Sequence, residues 1–113
     1  MVIAHNQLSK VVDLIEDKRG DKITILNLQG ISIIADYFII VTGNSTTQTK
    51  AISDHLVEKL PELGINIIRK EGLPEGSWVL IDCGDLVIHI MTPETRDFYS
   101  LERLWGDAQE VTF

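Results

Sequence analysis

Apolar residues recur along this chain with two different periods, and the switches between them mark its elements. Near the start, Leu8, Val11, Val12 and Ile15 fall at helical spacing, with Asp13, Glu16 and Lys18 on the rest of the wheel. The spacing predicts a first helix, stopped at Gly20. "KITILNL" then alternates, with Ile23, Ile25 and Asn27 on one side and Thr24, Leu26 and Leu28 on the other, as a strand does. "QGISIIAD" reads as a connection, and "YFIIVTG" as a buried strand ending at Gly43.

"NSTTQ" opens a second helix. Ser45 and Gln48 stand at capping-box spacing, so each side chain can satisfy an amide that the first turn leaves unpaired. Ile52, Leu56, Leu60 and Leu63 form its apolar stripe; Pro61 kinks or ends it, and Gly64 closes the segment. "INIIRK" predicts a strand, placed to complete a strand–helix–strand crossover with "YFIIVTG". "EGLPEGS" is a turn-rich loop, and "SWVLIDCGDLVIHIM" reads as a hairpin. Thr92, Pro93 and Glu94 supply a cap, a first-turn proline and a first-turn acid. They start a C-terminal helix whose Phe98, Leu101, Trp105 and Ala108 pack on the sheet. The order α-β-β-α-β-β-β-α predicts an α+β (α/β) fold, a single mixed sheet of about five strands with helices mainly on one face.

The hairpin holds the most informative pattern. With Cys83 and Gly84 as its loop, Asp82 faces Asp85, Ile81 faces Leu86, Leu80 faces Val87, and Trp78 faces His89. Alternation then gives one wholly aliphatic face, Val79, Ile81, Leu86, Ile88 and Ile90, which must be core. The other face carries Trp78, Leu80, Asp82, Asp85, Val87, His89 and Met91. It is too apolar for a plain solvent face and too polar for a plain core face. A large aromatic, aliphatics and a methionine edged by charge suit a protein interface. The alternative is cover by a helix of the same chain, with His89 hydrogen-bonded inside. Tyr99 and Glu102 would border the same surface.

Composition narrows the function classes. The chain has 113 residues, enough for one domain spanning 1–113 with a core of its own. Ten Lys and Arg stand against 17 Asp and Glu, for a net charge of −7, and the basic residues are scattered. That disfavours direct nucleic-acid binding and favours a basic protein partner. No run is long and apolar enough for a membrane span, and the first residues match neither a secretory signal nor a transit peptide. A cytoplasmic location is expected. Cys83 is the single cysteine, so neither an internal disulfide nor a cysteine metal cluster can form.

Three constellations are candidates for catalysis or ligand binding. "GNST" lies at a strand-to-helix junction, where backbone amides attract phosphate, but it lacks both established phosphate-loop patterns and has no basic residue before Lys50. A turn and helix cap explain it better. Asp36, Asp82 and Asp85 are the one carboxylate set that could bind metal for nucleotidyl transfer. Asp82 and Asp85 flank a turn, where Asp is common for its own backbone bonds. His5, His55 and His89 are far apart and lack metal-ligand spacing. No catalytic residue, metal or cofactor is expected.

Three stretches together resemble the ribosomal silencing factor family, also called the Iojap family: "ADYFIIVTGNSTTQTKAISD", "EGLPEGSWVLIDCGDLVIHIM" and "PETRDFYSLERLWGDA". The similarity runs from Leu8 to Ala108. It implies a nucleotidyltransferase-like fold without the catalytic motif. It also implies a non-enzymatic repressor of translation that binds the large ribosomal subunit through ribosomal protein uL14 and sterically blocks joining of the small subunit. Free members of the family are often homodimers. Carried over to this chain, the resemblance implies a partner-binding surface of Trp78, Leu80, Asp82, Val87, His89 and Met91, with Tyr99 at its edge. The chain departs from the family pattern at Cys83 and Met91, where an aromatic is common, and at Thr47, where a basic residue is common.

Overall fold

The near-continuous apolar runs Tyr37–Thr42 (β2) and Leu86–Met91 (β5) occupy the middle of a six-stranded sheet. The computed structural model describes residues 3–113. The two runs pair in parallel, Ile39 beside Ile88 and Val41 beside Ile90. Every residue of β5, and all of β2 but Tyr37, is buried, as expected of central strands covered on both faces. Outward from β5 come Trp78–Asp82 (β4) and Arg69–Glu71 (β3). Outward from β2 come Asp21–Asn27 (β1) and Gln109–Glu110 (β6). All pairs except β2–β5 are antiparallel.

Two long helices cover one face. They are His5–Asp17 (α1) and Thr46–Lys59 (α2), the latter running on into a 3-10 turn, Leu60–Leu63, closed by Gly64. Leu8, Val11, Ile15, Ile52, Leu56 and Leu60 pack there with Ile39, Val41, Val79, Ile81, Ile88 and Ile90. Those include the aliphatic hairpin face expected to be core. The opposite face holds a second core of Leu26, Leu28, Phe38, Ile40, Val87, Met91 and Leu101, with Trp78, Leu80, Trp105 and Ala108 packed at its margin. The C-terminal segment supplies that cover through Pro93–Tyr99 (α3) and Leu101–Leu104 (α4).

The structure corrects the expected connections in several places. The hairpin turn is Gly84–Asp85, closed by Cys83 N–H donating to Leu86 O at 2.8 Å. Gly84 has φ 86°, as the first central position of a type II′ turn requires. This shifts the pairing by two residues, so Trp78 faces Met91 and Leu80 faces His89. A two-residue shift preserves strand parity, which is why the division into two faces survives it.

Of "INIIRK" only Arg69 and Lys70 are strand, within β3. Ile65 turns instead into the core beneath the 3-10 turn, its N–H donating to Leu60 O at 3.2 Å. β3 then lies on the sheet edge beside β4, so the parallel partner of β2 is β5 and not the strand that follows α2. α1 ends with Arg19, not Gly20, in the left-handed conformation. The C-terminal helix is broken at Ser100, which is left-handed at φ 50° and ψ 56°. The break resets the helical phase. Leu101 faces the sheet, while Phe98, expected to do the same, is 80% exposed. The sixth strand, β6, has no counterpart among the elements read from the sequence.

Candidate functional site

The mixed face of the hairpin is built by β4 and β5 and roofed by α3 and α4. Its seven expected binding residues separate by depth. Val87, His89 and Met91 sit on the central strand and are buried. Trp78, Leu80 and Asp82 lie one strand nearer the sheet edge and are half-buried. Tyr99, at the end of α3, is exposed. Val87, His89 and Met91 therefore form the buried floor of this region. The cover by the same chain, weighed as the alternative, holds for these three.

An aromatic row connects floor to surface. Phe98 meets Tyr99 edge-on with ring centroids 5.0 Å apart, and Tyr99 lies against Trp78 at 4.8 Å. Trp78 Nε1–H donates to His89 Nδ1 at 3.1 Å, a diagonal contact across the β4–β5 pair. His89 in turn meets Phe38 edge-on at 4.6 Å, and Phe38 meets Trp105 at 6.0 Å. Edge-on and tilted pairs at these spacings add to the stabilisation from burial alone. Because His89 Nδ1 accepts, the neutral ring carries its proton on Nε2. Nε2 is buried and has no hydrogen-bond partner. Burial pushes the His89 pKa down to about 4. The ring is therefore neutral at pH 7 and serves as an acceptor that orients Trp78.

Asp82 is committed locally. One carboxylate oxygen accepts from Gly84 N–H at 2.8 Å, stabilising the hairpin turn, and the other accepts from Arg69 Nε at 3.2 Å. Cys83 in that turn is buried, and burial with the Asp82 charge pushes its thiol up to about 12. It stays protonated at neutral pH and is a poor nucleophile.

The other constellations are taken up by local structure. At the "GNST" junction, Ser45 Oγ accepts from Gln48 N–H at 3.2 Å, and Gln48 Oε1 accepts from Asn44 N–H at 2.6 Å. Gln48 Nε2 also donates to Arg19 O at 2.9 Å, tying the start of α2 to the end of α1. The junction is thus occupied by its own side chains, with Gln48 reaching Asn44 where the sequence predicted Ser45. Asp36, Asp82 and Asp85 belong to no group of three or more His, Cys, Asp or Glu placed to hold a metal among the described residues. His55 pairs with Asp17 at 3.3 Å, a link between the two long helices. No helix among the described residues is long and apolar enough to cross a membrane.

Phe98 is the surface residue that sequence reasoning missed. Its spacing from Leu101 and Trp105 fits one continuous helix, and only the left-handed Ser100 separates it from them. A serine between two helical segments is a weak signal for such a break.

The family model described as "Ribosomal silencing factor during starvation" matches residues 3–113. A protein of Halalkalibacterium halodurans named ribosomal silencing factor is 45% identical over 104 residues, covering 92% of this chain and 89% of that protein. A mouse protein named "Mitochondrial assembly of ribosomal large subunit protein 1" is 32% identical over 101 residues, 87% of this chain and 44% of its own length. Among solved structures, a crystal structure from Chromobacterium violaceum superposes with a TM-score of 0.86 at 37% identity, covering 98% of this chain and 92% of that one. Fold and matched sequence thus agree, and the chain belongs to the ribosomal silencing factor family.

Proposed function

We propose that this protein is a translational repressor that binds the large ribosomal subunit and blocks joining of the small one. The observation that carries the reading is the row Phe98, Tyr99 and Trp78, which brings aromatic surface to the solvent-exposed side of a rigid sheet. Exposed aromatics of this kind are the usual energetic centre of a protein interface. The contact surface is Trp78, Leu80, Asp82, Tyr99 and the newly recognised Phe98, with Val87, His89 and Met91 holding it from beneath. Its partner is ribosomal protein uL14, the one implied by the family resemblance. The net charge of −7 favours approach to a basic protein and disfavours gripping RNA directly. The protein acts by steric exclusion, without catalysis, metal or cofactor, in the cytoplasm, and is a homodimer when free.

Sedimentation of isolated large and small subunits tests the reading. Added protein should sediment with the large subunit and reduce the joined fraction; unimpeded joining would overturn it. Trp78→Ala should weaken large-subunit binding by about 2 kcal/mol, roughly thirtyfold. Equal recovery of wild type and variant would remove this face from the mechanism.

A further inference from the structure

Arg96 lies in α3, on the inner side of the segment that roofs the second core. Its guanidinium has five N–H donors and makes four hydrogen bonds. Nε donates to Glu102 Oε2 at 3.1 Å, and Nη2 lies 3.1 Å from the same oxygen as an ion pair. Nη2 also donates to Thr24 Oγ1 at 3.0 Å, and Nη1 to Thr42 Oγ1 at 3.0 Å and to the Lys22 carbonyl oxygen. One side chain thus joins α3 to α4, to β1 at Lys22 and Thr24, and to β2 at Thr42. Its side chain is 11% exposed, unusual for an arginine.

The position of this brace in the chain gives it a task. Tyr99 and Phe98 lie between Arg96 and Glu102, and the left-handed Ser100 lies in the same interval. Ser100 N–H donates to Arg96 O at 2.9 Å, closing the bend over the same residue. α3 and α4 are short, seven and four residues, and neither is stable by itself. Without a tie to the sheet, the bend that presents the two aromatics would sample many arrangements. Ordering them would then be charged to the binding step.

We propose that Arg96 is a positioning residue for the docking surface: by clamping Glu102, Thr24, Thr42 and the Lys22 carbonyl, it holds Tyr99 against Trp78 before the partner arrives. This rests on the docking surface proposed above. Arg96 itself touches no partner. A lysine cannot replace it, since a single ammonium on a flexible stem cannot reach four acceptors on three elements at once.

The test is a double-mutant cycle on binding to isolated large subunits, with thermal melts and hydrogen exchange on the same proteins. Arg96→Lys should remain folded, exchange faster over residues 98–101, and lose on the order of tenfold in affinity. Tyr99→Ala should lose a similar factor. The Arg96→Lys loss should be smaller in the Tyr99→Ala background than in the wild type, because Arg96 acts mainly through that ring and only the share carried by Phe98 remains. Losses that multiply, or unchanged affinity of Arg96→Lys with faster exchange, would overturn the proposal. Should Arg96→Lys fail to fold, the near-isosteric pair Thr24→Val and Thr42→Val removes two acceptors instead and must give the same pattern. Unchanged affinity of Tyr99→Ala overturns the docking surface as well, which separates that failure from failure of the brace.

Discussion

Lowering the pH from 7 to 5 should weaken the fold through one side chain, His89. In the unfolded chain its pKa is the ordinary 6.5, while in the native state burial holds it at about 4. The unfolded state therefore takes up a proton first, and stability falls as pH drops through 6.5 toward 4. Below pH 4 both states are charged and the loss stops growing. For these two values, linkage gives a loss of about 2 kcal/mol between pH 7 and pH 5, and about 3 kcal/mol in all. The structural cause is plain. The ring is 4% exposed, its Nδ1 already accepts from Trp78, and its Nε2 has no partner, so nothing compensates an added charge. His89→Asn keeps an amide oxygen near the place of Nδ1 for Trp78 and removes the titration. The cost of the smaller side chain at pH 7 is about 1–2 kcal/mol. Urea unfolding of both proteins at pH 7, 6 and 5, followed by circular dichroism, measures the difference. The wild type's advantage should change by about 2 kcal/mol across that range and so close or reverse by pH 5, with carboxylate effects common to both cancelling. A gap that stays constant would refute the linkage and with it the neutral, Trp78-orienting role of the ring.

Gly72 sits at φ 84°, and a Cβ there would lie 1.9 Å from the Trp78 carbonyl oxygen. Gly72→Ala should destabilise by more than about 2 kcal/mol in thermal or urea unfolding, since strain and backbone clash add. It should also displace the start of β4, seen as a shift of Trp78 fluorescence. Phe98 is exposed and, among the described residues, makes one ring contact, with Tyr99. Phe98→Ser should change stability by less than about 0.5 kcal/mol yet weaken large-subunit binding several-fold; a large drop in melting temperature with intact binding would assign Phe98 to the core instead.

Much of the site was legible because strand parity is local. Val79, Ile81, Ile88 and Ile90 alternate with Trp78, Leu80, Val87 and His89 whatever the hairpin turn, so the two faces could be separated from the sequence. The pairing itself was not legible. Loops of Cys83–Gly84 and of Gly84–Asp85 give the same parity, and only the turn hydrogen bond distinguishes them. The partnership of Trp78 with His89 was anticipated, but as a direct cross-strand pair; the structure makes it diagonal.

The sequence by itself determined the two long helices, the strands β1, β2, β4 and β5, the two-faced hairpin, the Ser45 cap, the acidic balance and the family resemblance, because each depends on neighbours a few residues apart or on composition. Tertiary structure decided which face remained open. β5 lies between β4 and β2, and that central place buries Val87, His89 and Met91 under the returning C-terminal segment. Ser100 turns left-handed where Arg96 and Glu102 clamp across it, and that bend puts Phe98 and Tyr99 outside. Strand order and a single reversed backbone angle arise from contacts between distant segments, such as Arg96 with Thr24 and Thr42, and periodicity carries no record of them.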